Sequence, residues 1–324
     1  MNYIDLHCDT LMNAFLSGKT DVGELERAAV DLERLKKGNC MAQFFAIFLP
    51  SLRMKERMGS RIPDDETYIK ALHTILMQTI EKYPDDLAFA GNAAQLAENH
   101  RAGKVSAFLT IEDGRSVQGS MENLERYYNM GVRLISLTWN HANCFGFPNS
   151  TDPAAMGRGL TDFGKDAVVR MNEMGMLVDV SHLSDGGFWD VAELSRRPFV
   201  ASHSNCRALG VHQRNLTDEM IRTLADKGGV AGINFEAGFL TKDVLCNVSR
   251  LEDLIAHAAH LRNKGGIGCV AIGTDFDGIS CELEVAGPHR MYLLFDGLKR
   301  AGFSEDDIEK IAYRNAQRVI ADVL

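Results

Sequence analysis

Eight times along the chain a short β-rich apolar run gives way to a helical pattern, and this alternation restricts the fold more than any other feature. The runs are YIDLHCD (3–9), MAQFFAIF (41–48), VSAFLTIED (105–113), VRLISLTW (132–139), LVDVSH (177–182), FVASHS (199–204), GVAGINF (229–235) and CVAIGTDFD (269–277). Between them lie amphipathic segments such as ELERAAVDLERLKK, MENLERYYNM, DFGKDAVVRMNEMG and DEMIRTLADKGG, several ending in the glycine that stops a helix. Strands that are apolar along nearly their whole length must be covered on both faces, which is the signature of a parallel sheet flanked by helices. Eight such units predict a closed (β/α)8 barrel of the TIM type, and no G-x-G-x-x-G follows the first run to support an open dinucleotide-binding sheet. The 324 residues contain no low-complexity segment, Pro-rich linker or composition shift, so one barrel domain is expected over 1–324.

In such a barrel the active site forms at the C-terminal ends of the strands. The first run ends with His7 and Asp9, the third with Glu112, the fifth with His182, the sixth with His203 and the eighth with Asp275, and the fourth leads to His141. In DLHCDT the period of two puts His7 and Asp9 on one face and Cys8 on the other. Any one of these residues could simply cap the next helix or pack as an isolated histidine; six of eight runs delivering an ionisable group to one rim point instead to a metal site. Imidazole and carboxylate together suit zinc or a similar divalent ion. Three histidines and two carboxylates (His7, Asp9, Glu112, His182, His203) exceed the needs of one four-coordinate ion but can hold two if one carboxylate bridges. Glu112, arriving between the first-run pair and the two later histidines, is the natural bridge. Metal binding pulls the pKa of water from about 15.7 towards 7, so hydrolysis is the implied reaction. Asp275 is then free to serve as general base and acid, whereas a turn-forming reading of GTDFDG assigns Asp277 and Gly278 to backbone geometry.

Composition narrows the partners. The formal net charge is −9 and the pI about 5.6, which leaves no basic excess for a nucleic acid and favours a small-molecule substrate. Seven scattered cysteines form no C-x-x-C pair and no disulfide framework, as expected of a cytoplasmic protein. No leader-like segment opens the chain and no run approaches the ~18 apolar residues of a membrane span, so no membrane insertion is expected.

The chain resembles the zinc dipeptidase family that includes mammalian renal membrane dipeptidase, within the amidohydrolase superfamily. The resemblance rests on DLHCDT, the Glu of TIEDG, LTWNHANCFG, GLTDFGKDAVVRMNEMGMLVDVSH, FVASHSNCRALGVHQRNLTDEMI and IGTDFDG, which fall in family order and spacing nearly end to end. It implies a barrel of the metal-dependent hydrolase type with two Zn2+ per chain, His7 and Asp9 on one ion, His182 and His203 on the other, and Glu112 between them. It also implies that Asp275 is the catalytic acid/base and that His141 polarises the scissile carbonyl. Arg214 would grip the terminal carboxylate of a dipeptide, a task suited to the guanidinium fork; on composition alone Arg214 reads as a solvated surface residue, as His212 does. Family members often accept a D-residue at the C-terminal position and often pair, so both D-tolerance and a homodimer enter as expectations. The mammalian membrane anchor is not carried over. The segments after the second, seventh and eighth runs (51–65, 236–250 and 278–290) are expected to wall the pocket. Two competing functions are another amidohydrolase reaction, such as cleavage of an N-acyl amino acid or a lactone, and a metal-bearing binder without turnover; an intact Asp275 weighs against the second.

Overall fold

A computed structural model describes residues 1–57, 62–243 and 245–324. In chain order the strands are β1 (Tyr3–Cys8), β2 (Cys40–Phe48), β3 (Leu87–Phe89), β4 (Val105–Glu112), β5 (Val132–Ser136), β6 (Leu177–Asp179), β7 (Val200–Ala201), β8 (Val230–Ile233), β9 (Val248–Ser249), β10 (Val270–Ile272) and β11 (Glu282–Leu283). Eight of them run in parallel in the order β2-β1-β10-β8-β7-β6-β5-β4, and β4 pairs back onto β2 from Ala42↔Ser106 to Phe48↔Glu112, which closes the ring. These eight strands correspond to the eight apolar runs, so the chain is a (β/α)8 barrel. The later strands are short, and their polar residues lie in the turns just beyond them.

Two features depart from the sequence expectation. The three-residue β3 pairs with the start of β4, at Leu87↔Val105 to Phe89↔Ala107, before β5 takes over that edge at Leu109. Its apolar signal is too short to register as a run. The expected helix over ELERAAVDLERLKK forms only at Leu32–Lys37. Asp31 caps that helix by accepting the Arg34 N–H, and its other oxygen accepts from Leu25 N–H. The Asp277 carboxylate, from the loop after β10, takes the backbone N–H groups of Ala29 and Val30 at 2.6 and 3.3 Å. Local helix propensity in 24–30 is thus overridden by side chains that bind its amides from outside. The other three named helices form at Met121–Asn129, Asp162–Met174 and Asp218–Asp226, each started by a Ser or Thr cap. Gly175 ends the second in the left-handed conformation, φ 72°.

Packing makes one end of the barrel unusable for chemistry. Ile4, Leu6, Phe44, Phe108, Leu134, Leu177, Val200, Val230 and Ala271 form an inner cluster, continued by Val319, Ile320 and Val323 of the helix Asn315–Val323. Phe44 and Phe108 stack within it at 4.6 Å. Along β4, Ala107, Leu109 and Ile111 belong to the outer layer against the helices, while Phe108 belongs to the inner cluster. The same alternation carries Glu112 inward at the open, C-terminal end. Among the described residues no helix is long and apolar enough to cross a membrane.

Candidate metal centre and active site

At that open end five side chains converge, all buried: His7 and Asp9 at the end of β1, Glu112 at the end of β4, His182 beyond β6 and His203 beyond β7. Cys8 turns away into the outer apolar layer, as alternation along β1 requires. The Glu112 carboxylate stands between two groups. Its Oε2 is 3.4 Å from His7 Nε2, and its Oε1 is 2.8 Å from His182 Nε2 and 3.5 Å from His203 Nε2. His7 Nε2 also lies 3.8 Å from Asp9 Oδ2, and the His7 and His203 rings stack at 3.9 Å.

These groups fit metal ions better than they fit one another. Both ring nitrogens of His7 and Oδ1 of Asp9 are buried without a hydrogen-bond partner. Leaving such atoms unsatisfied costs about 1–3 kcal/mol each, a cost that a bound cation removes. The His182 and His203 Nε2 atoms face each other at 3.1 Å, and with each ring's proton on Nδ1 toward its outer partner two lone pairs meet there. Burial, with Arg214 nearby, takes His182 down to about 4, and burial with His7 and Arg214 takes His203 well down, so both rings are held neutral, the state that ligates metal. Glu112 is held well below its usual range: burial opposes ionisation, but the charge of His7 and the close approach of His182 and His203 prevail. His7 is raised well above its usual value, because Glu112 and Asp9 outweigh the effect of burial. A divalent ion between those anions would replace that proton.

Outer partners orient the rings of His182 and His203. Asp179 accepts at Oδ1 from the N–H groups of Ser181 and Ser202, and at Oδ2 from the hydroxyls of Ser136 and Ser202, the last at 2.6 Å. With its proton committed to Asp179, the Ser202 hydroxyl accepts from His203 Nδ1–H at 2.7 Å and leaves the Nε2 lone pair facing the cluster. His182 Nδ1 is 3.3 Å from Asn140 Oδ1, which can only accept, so His182 also presents Nε2. Asn140, Asp179 and Ser202 were not among the expected site residues. The sequence signal for one of them was available, since Asp179 is an acid in the middle of the apolar run LVDVSH. Ser202→Ala is expected to weaken metal affinity about 10- to 100-fold with the fold intact, measured by competition with a chelator.

The last run supplies two acids with different surroundings. Asp277 serves the turn, accepting from Thr10 Oγ1 at 2.6 Å as well as from Ala29 and Val30. Asp275 belongs to the site: its Oδ1 is 3.8 Å from His7 Nε2, and its Oδ2 accepts from Asn234 Nδ2 at 2.9 Å. Burial pushes Asp275 up to about 8; His7 opposes this, while Asp9 and Glu112 add to it. A side chain at Gly278 would put its Cβ 2.2 Å from Asp9 Oδ2 and 2.4 Å from Asp275 Oδ1, so only glycine lets this turn close over the two acids.

Arg214 is not the solvated surface residue that composition suggests. It is 5% exposed, donates from Nη1 to Ser204 Oγ at 2.7 Å and from Nη2 to the His203 carbonyl at 3.2 Å, and its Nε has no partner. Burial lowers it to about 10, still a cation at neutral pH. His212 is half-buried rather than solvated; its Nδ1 accepts the Arg214 N–H, and its ring lies 4.7 Å from Phe239. Phe239, in the expected wall segment 236–250, also faces the Arg214 guanidinium at 5.8 Å. In the same segment β9 pairs with β11 of segment 278–290. The first expected wall, 51–65, forms a helix at Leu52–Arg57, and its residues 58–61, like 244 in the second, lie outside the described residues. His141 is exposed at the rim, apart from the ligand cluster. Its ring is 6.2 Å from that of Trp139, which is 6.2 Å from that of His182.

A (β/α)8 barrel with buried histidines and carboxylates gathered at its C-terminal end has the make-up of a metal-dependent hydrolase. Within that class, the chain belongs to the membrane dipeptidase family, peptidase family M19, which matches residues 1–324. It is a metallopeptidase enzyme. A dipeptidase, aclJ, of Aspergillus oryzae is 31% identical over 310 residues, covering 94% of this chain and 72% of the relative. Among solved structures, the dipeptidase AC, an M19 metallopeptidase, superposes with TM-score 0.90 at 26% identity, covering 100% of this chain and 98% of the other. A metallopeptidase from Rhodobacter sphaeroides, liganded with a phosphinate mimic of the dipeptide L-Ala-D-Ala, superposes with TM-score 0.89 at 25% identity, covering 100% and 99%.

Proposed function

We propose that this enzyme hydrolyses dipeptides bearing a free C-terminal carboxylate, on two zinc ions bridged by Glu112. His7 and Asp9 would hold one ion, His182 and His203 the other. The observation that carries the substrate class is Arg214, a buried guanidinium with unspent donors that touches the backbone of the ligand His203. A buried cation without a carboxylate of its own is stabilised by one that arrives with the substrate. The mixed imidazole and carboxylate donors favour zinc, and the two faces of Glu112 favour a pair.

When bound, the ions would lower the pKa of a water towards 7 and would polarise the scissile carbonyl. Asp275 takes a proton from the attacking water and returns it to the leaving amine, in keeping with a carboxyl whose affinity for protons is raised by burial. His141, on the loop beyond β5, donates to the carbonyl oxygen as charge develops there. Arg214 binds the terminal carboxylate with two parallel N–H groups and fixes the distance from that end to the scissile bond, which is what restricts the enzyme to dipeptides. Acceptance of a D-residue at the C-terminal position is supported by the L-Ala-D-Ala mimic bound to the Rhodobacter sphaeroides relative. Seven unpaired cysteines support a reducing, cytoplasmic setting.

The test is a panel of L,L- and L,D-dipeptides, their C-terminal amides and their N-acetyl derivatives, with wild type and Arg214→Met. Wild type should cleave the free dipeptides in a metal-dependent way and discriminate against the amides by about 2–5 kcal/mol, on the order of 30-fold or more in kcat/KM. In Arg214→Met that discrimination should collapse. Equal rates on acid and amide in wild type would remove Arg214 from carboxylate recognition, and N-acetyl derivatives cleaved as fast as free dipeptides would reassign the substrate class.

A further inference from the structure

β8 is the one stave beside Asp275 whose run ends without an ionisable residue. One residue past its end stands Asn234, whose side chain is fully buried and hydrogen-bonded at both Oδ1 and Nδ2. Its Oδ1 accepts the Glu236 N–H at 2.6 Å, which fixes the orientation of the amide and leaves Nδ2 on the other side. Nδ2 donates to Asp275 Oδ2 at 2.9 Å and to the His203 carbonyl at 3.2 Å. The backbone beneath is clamped as well, because Asn205 accepts the Asn234 N–H at 3.0 Å and donates to the Asn234 carbonyl at 2.8 Å. The His203 carbonyl also accepts from Arg214 Nη2, so one backbone oxygen joins the acid, a ligand strand and the proposed carboxylate clamp.

An amide nitrogen donates and cannot accept. Opposite Nδ2, the Asp275 Oδ2 is held as an acceptor, and because an oxygen that carries the proton is the poorer acceptor, a proton on the Asp275 carboxyl is directed to Oδ1. Oδ1 is the oxygen that faces His7 and the ligand cluster. Without the amide, the carboxyl could rotate and carry its proton on either oxygen, one of them turned away from the reacting atoms.

We propose that Asn234 is a positioning residue that holds the Asp275 carboxylate so that Oδ1 alone receives the proton from water and hands it to the leaving amine. This rests on the assignment of Asp275 as acid/base. No bond other than O–H and N–H changes at Asp275: the proton taken from water leaves on the amine, and the carboxylate returns to its starting state.

The experiment is a double-mutant cycle of Asn234→Ala and Asp275→Ala on the zinc-loaded protein, with Asn234→Asp as a shape-conserving single variant. Metal content, melting temperature and affinity for a phosphinate dipeptide mimic are measured beside kcat and KM. Both Asn234 variants should lower kcat about 10- to 100-fold, with metal content and melting temperature near wild type and KM changed less than about threefold. On the Asp275→Ala background, Asn234→Ala should cost less than about twofold more. A full multiplicative loss on that background, or a loss of kcat that follows metal content, would overturn the positioning role. So would wild-type turnover in the Asn234 variants with Asp275→Ala inactive, which overturns this inference alone. Wild-type turnover in Asp275→Ala would instead overturn the acid/base assignment, and the inference with it.

Discussion

Glu112→Ala is expected to strip the protein of both ions and to lower kcat/KM by at least about four orders of magnitude. The shift of water's pKa from about 15.7 towards 7 is a contribution the proposed reaction cannot do without, and it is lost with the ions. Glu112 presents one carboxylate oxygen to each half of the cluster, with Oε2 facing His7 and Oε1 facing His182 and His203. Its removal also leaves three buried imidazoles without the anion that organises them. Elemental analysis after desalting should find near two zinc ions per wild-type chain and fewer than half an ion in the variant. Added zinc should raise the melting temperature of metal-free wild type but not of the variant, because a ligand stabilises only the fold that binds it. Equal metal content and equal turnover in both proteins would refute the bridged centre.

Asp275→Asn is expected to lower kcat by about 10²- to 10⁴-fold, the range for removing a general base, while both ions remain bound. The amide keeps the volume of the carboxyl and can be held beside Asn234, so neither packing nor the Gly278 turn is disturbed. Metal content decides between two roles here. His7, Asp9 and Asp275 also lie close enough together to hold an ion among themselves. A variant that keeps two ions and loses turnover is an enzyme without its proton carrier; one that loses an ion identifies Asp275 as a ligand. Wild-type turnover with two ions would exclude both roles.

How much of this was legible in the chain depends on how local the physics is. The eight staves were readable because a parallel strand covered on both faces has to be apolar along its length, and that requirement leaves a mark that needs no partner to be seen. His7 and Asp9 on one face, and Glu112 on the inner face of its strand, follow from a period of two. The outer partners left weaker marks. Asn140, Ser202 and Asn234 are neutral and common, and they matter only because each meets one nitrogen or oxygen of a residue from another stave. The helix expected over 24–37 failed in its first half for the same reason, since the Ala29 and Val30 amides are bound by Asp277 from the far end of the chain.

The burial of Arg214 is the clearest such case. In the sequence it is a guanidinium in a polar stretch, HQRN, and only the closure of the β7 loop beside His203 encloses it. The sequence by itself determined the barrel, its eight staves and the residues on its rim, because periodicity and strand-end position are properties of consecutive residues. Tertiary structure alone decided which rim residues touch, which ring nitrogen each histidine presents and which cation is buried without an anion, because those depend on distances between atoms far apart in the chain.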